Sequence, residues 1–188
     1  HYSSRRQRQM CIRDRNVGLA GNIGVSFASS VCDYSYDYYV LEVSSFQLDH
    51  SITFKPNISV ITNISPDHLD RYDEDFDLYT LSKYSIVKNQ KPNDFFIYNN
   101  DCNVTKKIFS RVQIKSKSIS FSTKQISGFK HSIYTNNNNI ISSINKEKFM
   151  LSTDKIQIKG IHNIQNSMAA ISVAQILKIS NQKIKESL

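Results

Sequence analysis

Ionisable side chains follow a short run of β-branched residues in the stretch from Ile58 to Tyr72. The apolar beginning predicts a buried parallel strand, because strands covered on both faces are rich in such residues. The polar end carries Asp67, His68, Asp70 and Arg71. Ligands bind at the carboxyl ends of strands in open α/β sheets, so these residues leave the strand where a site is expected. A charged surface loop is the alternative interpretation.

A second apolar stretch, Tyr38 to Leu48, predicts another strand with a carboxylate, Glu42, set inside it. Carboxylates are almost never fully buried without a partner, so Glu42 requires a cation, and magnesium would serve. Ser44 and Gln47 follow with hydroxyl and amide groups that suit a phosphate or a sugar. Serine also commonly caps a helix or a turn, which is the alternative for Ser44.

The two stretches together resemble the central domain of the Mur ligases, the ATP-dependent amide-forming enzymes of peptidoglycan precursor synthesis. The resemblance rests on Glu-Val-Ser-Ser-Phe-Gln-Leu from Glu42 and Asp-His-Leu-Asp-Arg-Tyr from Asp67, and it extends from about residue 17 to the end. Within the family both motifs are most similar to the ligases that add D-glutamate to UDP-N-acetylmuramoyl-L-alanine. Sister ligases, including the folylpolyglutamate and third-residue-adding enzymes, are the alternative, against which Phe46-Gln47 and Arg71-Tyr72 argue.

The resemblance implies substrate contacts for particular residues. As a bare motif, Gly-Asn-Ile-Gly from Gly21 predicts only a turn. In the resembling ligases it lies against the nucleotide-sugar substrate, which implies a substrate contact for Asn22. The same resemblance favours ligand contacts over capping for Ser44 and Gln47, and it places His68 against the substrate.

A helix predicted from Phe76 to Asn89 carries Lys83, which is spaced four and three residues from Tyr79 and Ile86. Lys83 therefore shares a helix face with apolar neighbours. A lysine at such a position ordinarily extends its amine to water. The resemblance implies instead that Lys83 carries a carbamate made with carbon dioxide, whose two oxygens hold magnesium.

Two magnesium ions are implied by the resemblance. Glu42 would bind one ion, and His68 together with carbamylated Lys83 would bind the other, so these residues form the implied catalytic set. A metal-binding His68 must be neutral, and its second ring nitrogen needs an acceptor. Asp67 and a backbone carbonyl both remain open for that role.

The second half of the sequence predicts an antiparallel part and a long helix. Alternating residues from Gln125 to Ile158 indicate a hairpin with a polar tip at Asn136 to Asn139. A strong helix follows, with Asn163 and Asn166 on one side of its start. Capping is the alternative for Asn163, whereas the resembling His-Asn-x-x-Asn pattern implies that both asparagines hold the adenine of ATP.

Strands alternate with helices over residues 17 to 121 before the hairpin. This order predicts an α/β fold with a mostly parallel sheet flanked by helices and a small antiparallel β appendage. The resemblance implies that the fold is similar to that of the P-loop NTPases.

The net charge of +8 is concentrated at the beginning of the chain. Residues 1–15 hold five arginines and one aspartate, a net charge of +4. Arginine is scarce afterwards, so residues 1–15 are predicted to be a non-native or disordered basic segment. A nucleic-acid-binding arm is the alternative, but no aromatic platform or binding motif accompanies it.

Residues 16–188 are expected to be a central ATP-binding domain truncated at both ends. The phosphate-cradling pattern G-x-x-x-x-G-K-[ST] is absent from the sequence, so the chain alone is expected to be inactive, and an inactive remnant is a further alternative. No apolar run of about 18 residues and no signal core occur, which predicts a soluble, cytoplasmic monomer without a membrane partner. Three widely spaced cysteines indicate neither a disulfide framework nor a zinc site.

Overall fold

The computed structural model describes residues 15–126, 131–144 and 148–188. The strands are β1 (Val17–Gly21), β2 (Tyr38–Glu42), β3 (Ile58–Ile61), β4 (Phe95–Asn99), β5 (Lys117–Ser122), β6 (Ser132–Asn136), β7 (Asn139–Ser142) and β8 (Phe149–Ser152). The α-helices are α1 (Phe27–Asp33), α2 (Ser45–Asp49), α3 (Phe76–Tyr84), α4 (Asn103–Ile108), α5 (Ile161–Ile176) and α6 (Asn181–Glu186). Short 3₁₀ helices span Leu69–Tyr72, Ser85–Val87 and Thr153–Lys155.

The described strands form two sheets. Strands β1 and β2 pair in parallel as a two-stranded sheet, and β3 to β8 form a six-stranded sheet in chain order. Strands β3, β4, β5 and β6 are parallel neighbours, whereas β7 and β8 are antiparallel. The predicted α/β fold with a mostly parallel sheet is confirmed. Its antiparallel part is continuous with the parallel part, because β6 pairs with β5.

Helices cover both faces of the six-stranded sheet, and strand β4 shows why. Successive side chains of a strand point to opposite faces, so Phe96 and Tyr98 pack on one side with Tyr84 of α3. Ile97 packs on the other side, in a cluster that includes Met168 and other residues of α5. Burial on both faces explains the continuous apolar runs that predicted parallel strands.

Two element boundaries differ from the predictions. The strand predicted from Tyr38 to Leu48 ends at Glu42, and α2 begins at Ser45. A short apolar run does not distinguish a strand from a buried helix, which is why the turn into α2 escaped the pattern. The helix predicted to reach Asn89 ends at Tyr84, and the chain continues as the 3₁₀ helix Ser85–Val87.

Residues 1–14 lie outside the described residues. The basic segment predicted there therefore stays a prediction, as does the interpretation that Cys11 belongs to neither a disulfide framework nor a zinc site. Cys32 and Cys102 are free thiols, and Cys32 is exposed. Within the described residues, no helix is both long and apolar enough to cross a lipid bilayer.

Candidate functional site

The carboxyl ends of β1 and β2 bring Asn22 and Glu42 together. Gly21 is the register partner of Glu42, and the Asn22 N–H donates to the Glu42 carbonyl oxygen at 2.8 Å. Gly21 has a φ of +108°, and a Cβ there would collide with the same carbonyl oxygen. Only glycine therefore permits this approach of the two strands.

Glu42 is exposed at the last position of β2. The prediction that it is set inside a buried strand is wrong, because the strand ends at this residue and releases the side chain to the edge of the sheet. Burial therefore imposes no need for a cation at Glu42. Its position at a strand's carboxyl end is nevertheless the place where ligands meet α/β sheets.

Ser44 and Gln47 pair with each other at the start of α2. The Gln47 side-chain oxygen accepts the backbone N–H and the hydroxyl of Ser44, both at 2.9 Å. In a capping interaction of this kind, the side chain of the third helical residue accepts a hydrogen bond from the backbone N–H of the residue that precedes the helix. The capping alternative for Ser44 is thus confirmed in this structure, and the ligand contacts of both residues stay predictions.

His68 begins the 3₁₀ helix Leu69–Tyr72 in a left-handed conformation, with φ 50° and ψ 35°. Non-glycine residues adopt this region uncommonly, and such residues cluster at functional sites. The His68 Nε2 lies 3.7 Å from a carboxylate oxygen of Asp67, and both side chains are about two-thirds exposed. That distance exceeds a hydrogen bond, so the acceptor for the second ring nitrogen remains open.

Lys83 lies on α3 with its Nζ 5.0 Å from the centre of the Tyr79 ring. The predicted shared face of Lys83 and Tyr79 is therefore confirmed. An ammonium over an aromatic face is attracted by the ring quadrupole, so this geometry stabilises the unmodified, charged amine. Tyr79 itself is buried, with 3% of its surface exposed.

The Tyr72 hydroxyl connects the segments that carry the candidate residues. Its O–H donates to Asp49 Oδ2 at 2.7 Å, and its oxygen lies 3.1 Å from the Ser82 hydroxyl. The Ser82 hydroxyl also donates to the Ser45 carbonyl at 3.0 Å. Each hydroxyl has one proton, so Ser82 bonds either to Ser45 or to Tyr72 at a given moment.

This hydroxyl network connects the elements that carry three predicted site residues. It joins α2, which carries Gln47, to the 3₁₀ helix that follows His68 and to the turn of α3 that carries Lys83. Glu42 lies on β2, outside this network. Sequence reasoning missed Ser82, because a serine inside a helix carries no chemical signal of its own.

A second contact joins the same elements. The Arg71 guanidinium carbon lies 4.7 Å from the centre of the Phe46 ring, a cation–π distance. Both residues belong to the two motifs that carry the resemblance described above. The structure shows that they touch, so each forms part of the other's environment.

The predicted adenine residues, Asn163 and Asn166, lie on the first two turns of α5. Gly160 is the residue that begins this helix, with φ 111°, and Asn163 donates its amide to the Lys159 carbonyl at 2.9 Å. The alternative that Asn163 caps the helix is therefore wrong, because Gly160 occupies the capping position. Asn163 and Asn166 are both half-buried.

Magnesium prefers oxygen ligands. The Glu42 carboxylate and a carbamate on Lys83 fit that preference, whereas the imidazole of His68 is a less usual donor. In the part of the chain that the structure describes, no group of three or more histidine, cysteine, aspartate or glutamate side chains could hold a metal ion.

Comparison with known proteins identifies the family. The profile of the Mur ligase middle domain matches residues 10–174. The chain belongs to the Mur ligase family. The match begins inside the segment predicted to be non-native, so the boundary at residue 15 stays a prediction.

Three sequence relatives of this Mur ligase chain share one name. UDP-N-acetylmuramoylalanine--D-glutamate ligase from Christiangramia forsetii is 42% identical over 92% of this chain and 38% of the relative. The enzyme of the same name from Bacteroides thetaiotaomicron is 37% identical over 93% of this chain and 39% of the relative. The one from Porphyromonas gingivalis is 34% identical over 95% of this chain and 40% of the relative. The chain thus spans about two-fifths of the length of these curated relatives.

Solved structures share the fold at low sequence identity. MurF from Acinetobacter baumannii superposes with a TM-score of 0.71 at 16% identity, over 100% of this chain and 42% of that chain. UDP-N-acetylmuramate:L-alanyl-gamma-D-glutamyl-meso-diaminopimelate ligase from Neisseria meningitides gives 0.69 at 15% identity, over 100% and 62%. MurF from Thermotoga maritima, solved in complex with ADP, gives 0.65 at 16% identity, over 97% and 44%.

Proposed function

We propose that residues 16–188 form the central, ATP-binding part of a ligase that adds D-glutamate to UDP-N-acetylmuramoyl-L-alanine in peptidoglycan precursor synthesis. The observation that carries this proposal is the shared name of relatives that are 34–42% identical over more than nine-tenths of the chain. The contact between Phe46 and Arg71 supports it, because both residues belong to the motifs of this branch.

The proposed reaction has two steps. A carboxylate oxygen of the alanyl substrate attacks the γ-phosphorus of ATP, the bond to ADP breaks, and an acyl phosphate forms. The amine of D-glutamate then attacks the acyl carbon, phosphate leaves, and the nitrogen releases a proton to give the amide. Such phosphoryl transfer is governed by positioning and by electrostatic stabilisation rather than by covalent chemistry of the protein.

Asn163 and Asn166 are proposed to hold the adenine. Adenine presents a ring nitrogen acceptor beside an amino donor, and an asparagine amide can pair with both. An asparagine amide has two N–H donors, so the bond from Asn163 to Lys159 orients the amide and leaves one N–H for a ligand. The Thermotoga maritima relative, solved with ADP, has the same fold, which makes nucleotide binding by this chain a reasonable extension.

Glu42, His68 and Lys83 are proposed to hold magnesium beside the phosphates. Magnesium bound there would offset the negative charge of the transferring phosphoryl group. Only the neutral amine of Lys83 reacts with carbon dioxide, and the product replaces a positive charge with a negative one. Asn22, Ser44, Gln47 and His68 are proposed to contact the substrate.

A substrate panel tests the proposed function. We expect the full-length gene product to release ADP with magnesium only when UDP-N-acetylmuramoyl-L-alanine and D-glutamate are both present. Release with another amino acid or with a folate would instead assign a sister ligase. The 188-residue chain alone should release no ADP, and magnesium-dependent release by the purified chain would contradict the fragment interpretation.

We also infer a cytoplasmic monomer that binds neither nucleic acid nor membrane. ATP and nucleotide-sugar substrates support the cytoplasmic assignment. Sedimentation of the purified chain would test its monomeric state, and a dimer at micromolar concentration would contradict it.

A further inference from the structure

Lys159 makes one hydrogen bond with its ammonium and another with its backbone carbonyl. Its Nζ donates to the Asp154 carbonyl oxygen at 2.7 Å, and its own carbonyl oxygen accepts the Asn163 side-chain amide at 2.9 Å. Asp154 lies in the 3₁₀ helix Thr153–Lys155, and Asn163 lies on the first turn of α5. A single residue thus joins this 3₁₀ helix to an amide that is proposed to hold the adenine.

The residue that receives the Lys159 ammonium is itself attached to the hairpin of β6 and β7. The Asn138 side-chain amide donates to the Asp154 carboxylate at 2.8 Å, and the Thr153 N–H donates to the Asn138 carbonyl oxygen at 2.9 Å. Asn138 lies in the two-residue turn of the hairpin with φ 60°, a conformation that asparagine favours in such turns. Thr153 is buried. The Lys159 ammonium therefore bonds to a segment that the antiparallel strands hold in place.

The chain between this 3₁₀ helix and α5 has little packing of its own. Gln157, Lys159 and Gly160 are exposed, and Ile158 is half-buried. Gly160 has φ 111° and ψ 149°, a conformation that is essentially restricted to glycine, which has no side chain to pack. The Gln157 N–H donates to the Leu188 carbonyl at 3.1 Å, two residues before Lys159. The bond of the Lys159 ammonium closes the rest of the segment and so limits the movement of the Lys159 carbonyl.

The position of the Lys159 carbonyl determines how the Asn163 amide is presented. An asparagine amide has two N–H donors and one oxygen acceptor. The bond to Lys159 uses one N–H and leaves the second N–H and the oxygen, which together match the ring nitrogen and the amino group of adenine. An amide released from Lys159 can rotate, so the match to adenine depends on where this carbonyl lies.

We propose that Lys159 is a positioning residue for adenine recognition, whose ammonium bond to Asp154 holds the carbonyl that orients the Asn163 amide. This inference rests on the proposed adenine contact of Asn163. Lys159 acts through its carbonyl and not on the nucleotide, so it should influence the choice of base more than the phosphoryl transfer.

Comparison of ATP with ITP in the full-length enzyme tests this role. ITP carries an oxygen acceptor where ATP has the amino donor, so it loses the match to Asn163 but keeps the ribose and the phosphates. We expect Lys159→Met to raise the KM for ATP about 3- to 30-fold, the range of coupling through a connected network, with kcat and the KM for ITP nearly unchanged. Lys159→Arg keeps a long cationic donor and should retain most of the preference for ATP.

An equal rise of the KM for ATP and the KM for ITP in Lys159→Met would overturn the proposal. Both nucleotides share the phosphates, so that result would indicate a direct contact of the ammonium with them.

Lys155→Met is the matched control. Lys155 is also an exposed lysine, at the end of the same 3₁₀ helix, and its ammonium bonds to no described residue. The change removes the same charge and the same side-chain length, so we expect the KM for ATP to stay unchanged. A rise equal to that of Lys159→Met would show that positive charge near α5 matters rather than the bond to Asp154, and it would overturn the proposal.

Asn163→Ala separates this inference from the proposed function. It should lower the preference for ATP over ITP at least as far as Lys159→Met does, and the double variant should be no worse than Asn163→Ala alone. If Asn163→Ala lowers the preference and Lys159→Met does not, the positioning role is overturned and the adenine contact stands. If Asn163→Ala leaves the preference unchanged, the adenine contact fails, and the inference falls with it.

Discussion

At the scale of single residues, the types of the candidate residues were predictable, but their environments were not. Glu42 was expected to be buried and is exposed, because the end of β2 depends on the turn into α2. Lys83 was placed correctly beside Tyr79, since helical spacing alone determines that contact. The close approach of Gly21 to Glu42 was missed, because glycine in a short motif does not reveal which backbone it meets.

Replacing Lys83 with alanine should impair the full-length enzyme severely. If Lys83 acts as a carbamate, the loss of a charge aimed at the transition state costs about 3 to 4 kcal/mol, or roughly 100- to 1000-fold in rate. Steady-state ADP release should then recover partly with added acetate or formate, whose oxygens replace the carbamate. Lys83→Arg should not restore activity, because a guanidinium stays charged.

Two results would contradict the carbamate at Lys83. Rescue of Lys83→Ala by a small amine, with no response to acetate or formate, would indicate an ammonium that holds phosphate. Full activity of Lys83→Ala would remove the residue from the site.

Replacing Gly21 with alanine should separate the carboxyl ends of β1 and β2. The new Cβ would collide with the Glu42 carbonyl and adopt an unfavourable φ of +108°, at a cost of about 1–3 kcal/mol in the free energy of unfolding. Urea unfolding of the 188-residue chain measures this cost. Gly160→Ala is the matched control, because its φ is +111° but its nearest heavy atom lies 3.8 Å away. Equal destabilisation by both would show that backbone strain alone matters and that the contact with Glu42 does not.

At the scale of elements, the alternation of strands and helices followed from apolar periodicity, whereas the contacts between elements did not. Helix α2 was not predicted at all, although it contributes both Asp49 and Ser45 to the hydroxyl network. Its five residues are too few for a helical period to show. The sequence showed Tyr72 only as the last residue of the motif that begins at Asp67. Its hydrogen bonds to other elements became apparent only in the structure.

Tyr72→Phe should loosen the joint between α2, α3 and the 3₁₀ helix Leu69–Tyr72. The change removes the hydroxyl bonded to Asp49 at 2.7 Å, at a cost of about 1–2 kcal/mol in the free energy of unfolding. We expect kcat of the full-length enzyme to fall about 3- to 30-fold, because the elements that carry His68 and Lys83 lose a shared support. Tyr84→Phe is the control, since it removes a hydroxyl bond from α3 to Thr105 of α4 that is not part of the network of Tyr72. A larger fall of kcat in Tyr84→Phe would contradict the role of the network.

Tyr84 also provides a pH-dependent test of the packing between α3 and α4. Burial raises the pKa of Tyr84 from 10.0 to about 12, despite the hydrogen bond to Thr105. The folded chain therefore keeps this proton longer than the unfolded chain, so the contribution of Tyr84 to stability is complete below pH 10 and is lost as the pH rises towards 12. Urea unfolding should show that the free energy of unfolding falls by about 1–2 kcal/mol between pH 10 and pH 12. Tyr84→Phe should remove this fall. If the free energy of unfolding of the variant depends on pH as that of the unchanged chain does, groups other than Tyr84 cause the dependence.

At the scale of the whole molecule, the fold class and the order of elements were predictable, but the sheet connectivity was not. Alternation around Asn136 to Asn139 predicted the hairpin, and β6 and β7 confirm it. Backbone pairing carries no side-chain signal, so the pattern could not show that β6 would add to the parallel edge of β5. The separation of β1 and β2 from the larger sheet was hidden for the same reason.

Near the beginning of the described part of the chain, Asn16 is bonded to the turn before β2. Asn16 donates its side-chain amide to the Ser35 carbonyl at 2.9 Å, and its N–H donates to Asp37 at 3.3 Å. Within the described residues, the guanidinium carbon of Arg15 makes a cation–π contact, 5.6 Å from the centre of the Tyr38 ring. An exposed contact of that kind contributes about 0.5–1 kcal/mol.

Removal of residues 1–15 should therefore leave the fold intact. We expect the melting temperature of residues 16–188 to stay within about 4 °C of that of the 188-residue chain, the largest shift that a loss of about 1 kcal/mol produces in a chain of this length. Asn16→Ala in the shortened chain should lower it further, because the hydrogen bond from the Asn16 side-chain amide to the Ser35 carbonyl is lost. We expect no DNA binding by residues 16–188, and any weak, salt-sensitive DNA binding by the 188-residue chain should be lost with the segment, which holds a net +4 of the chain's +8. Unfolding on deletion would show that residues 1–15 belong to the domain, and DNA binding that survives it would favour a nucleic-acid role for the domain itself.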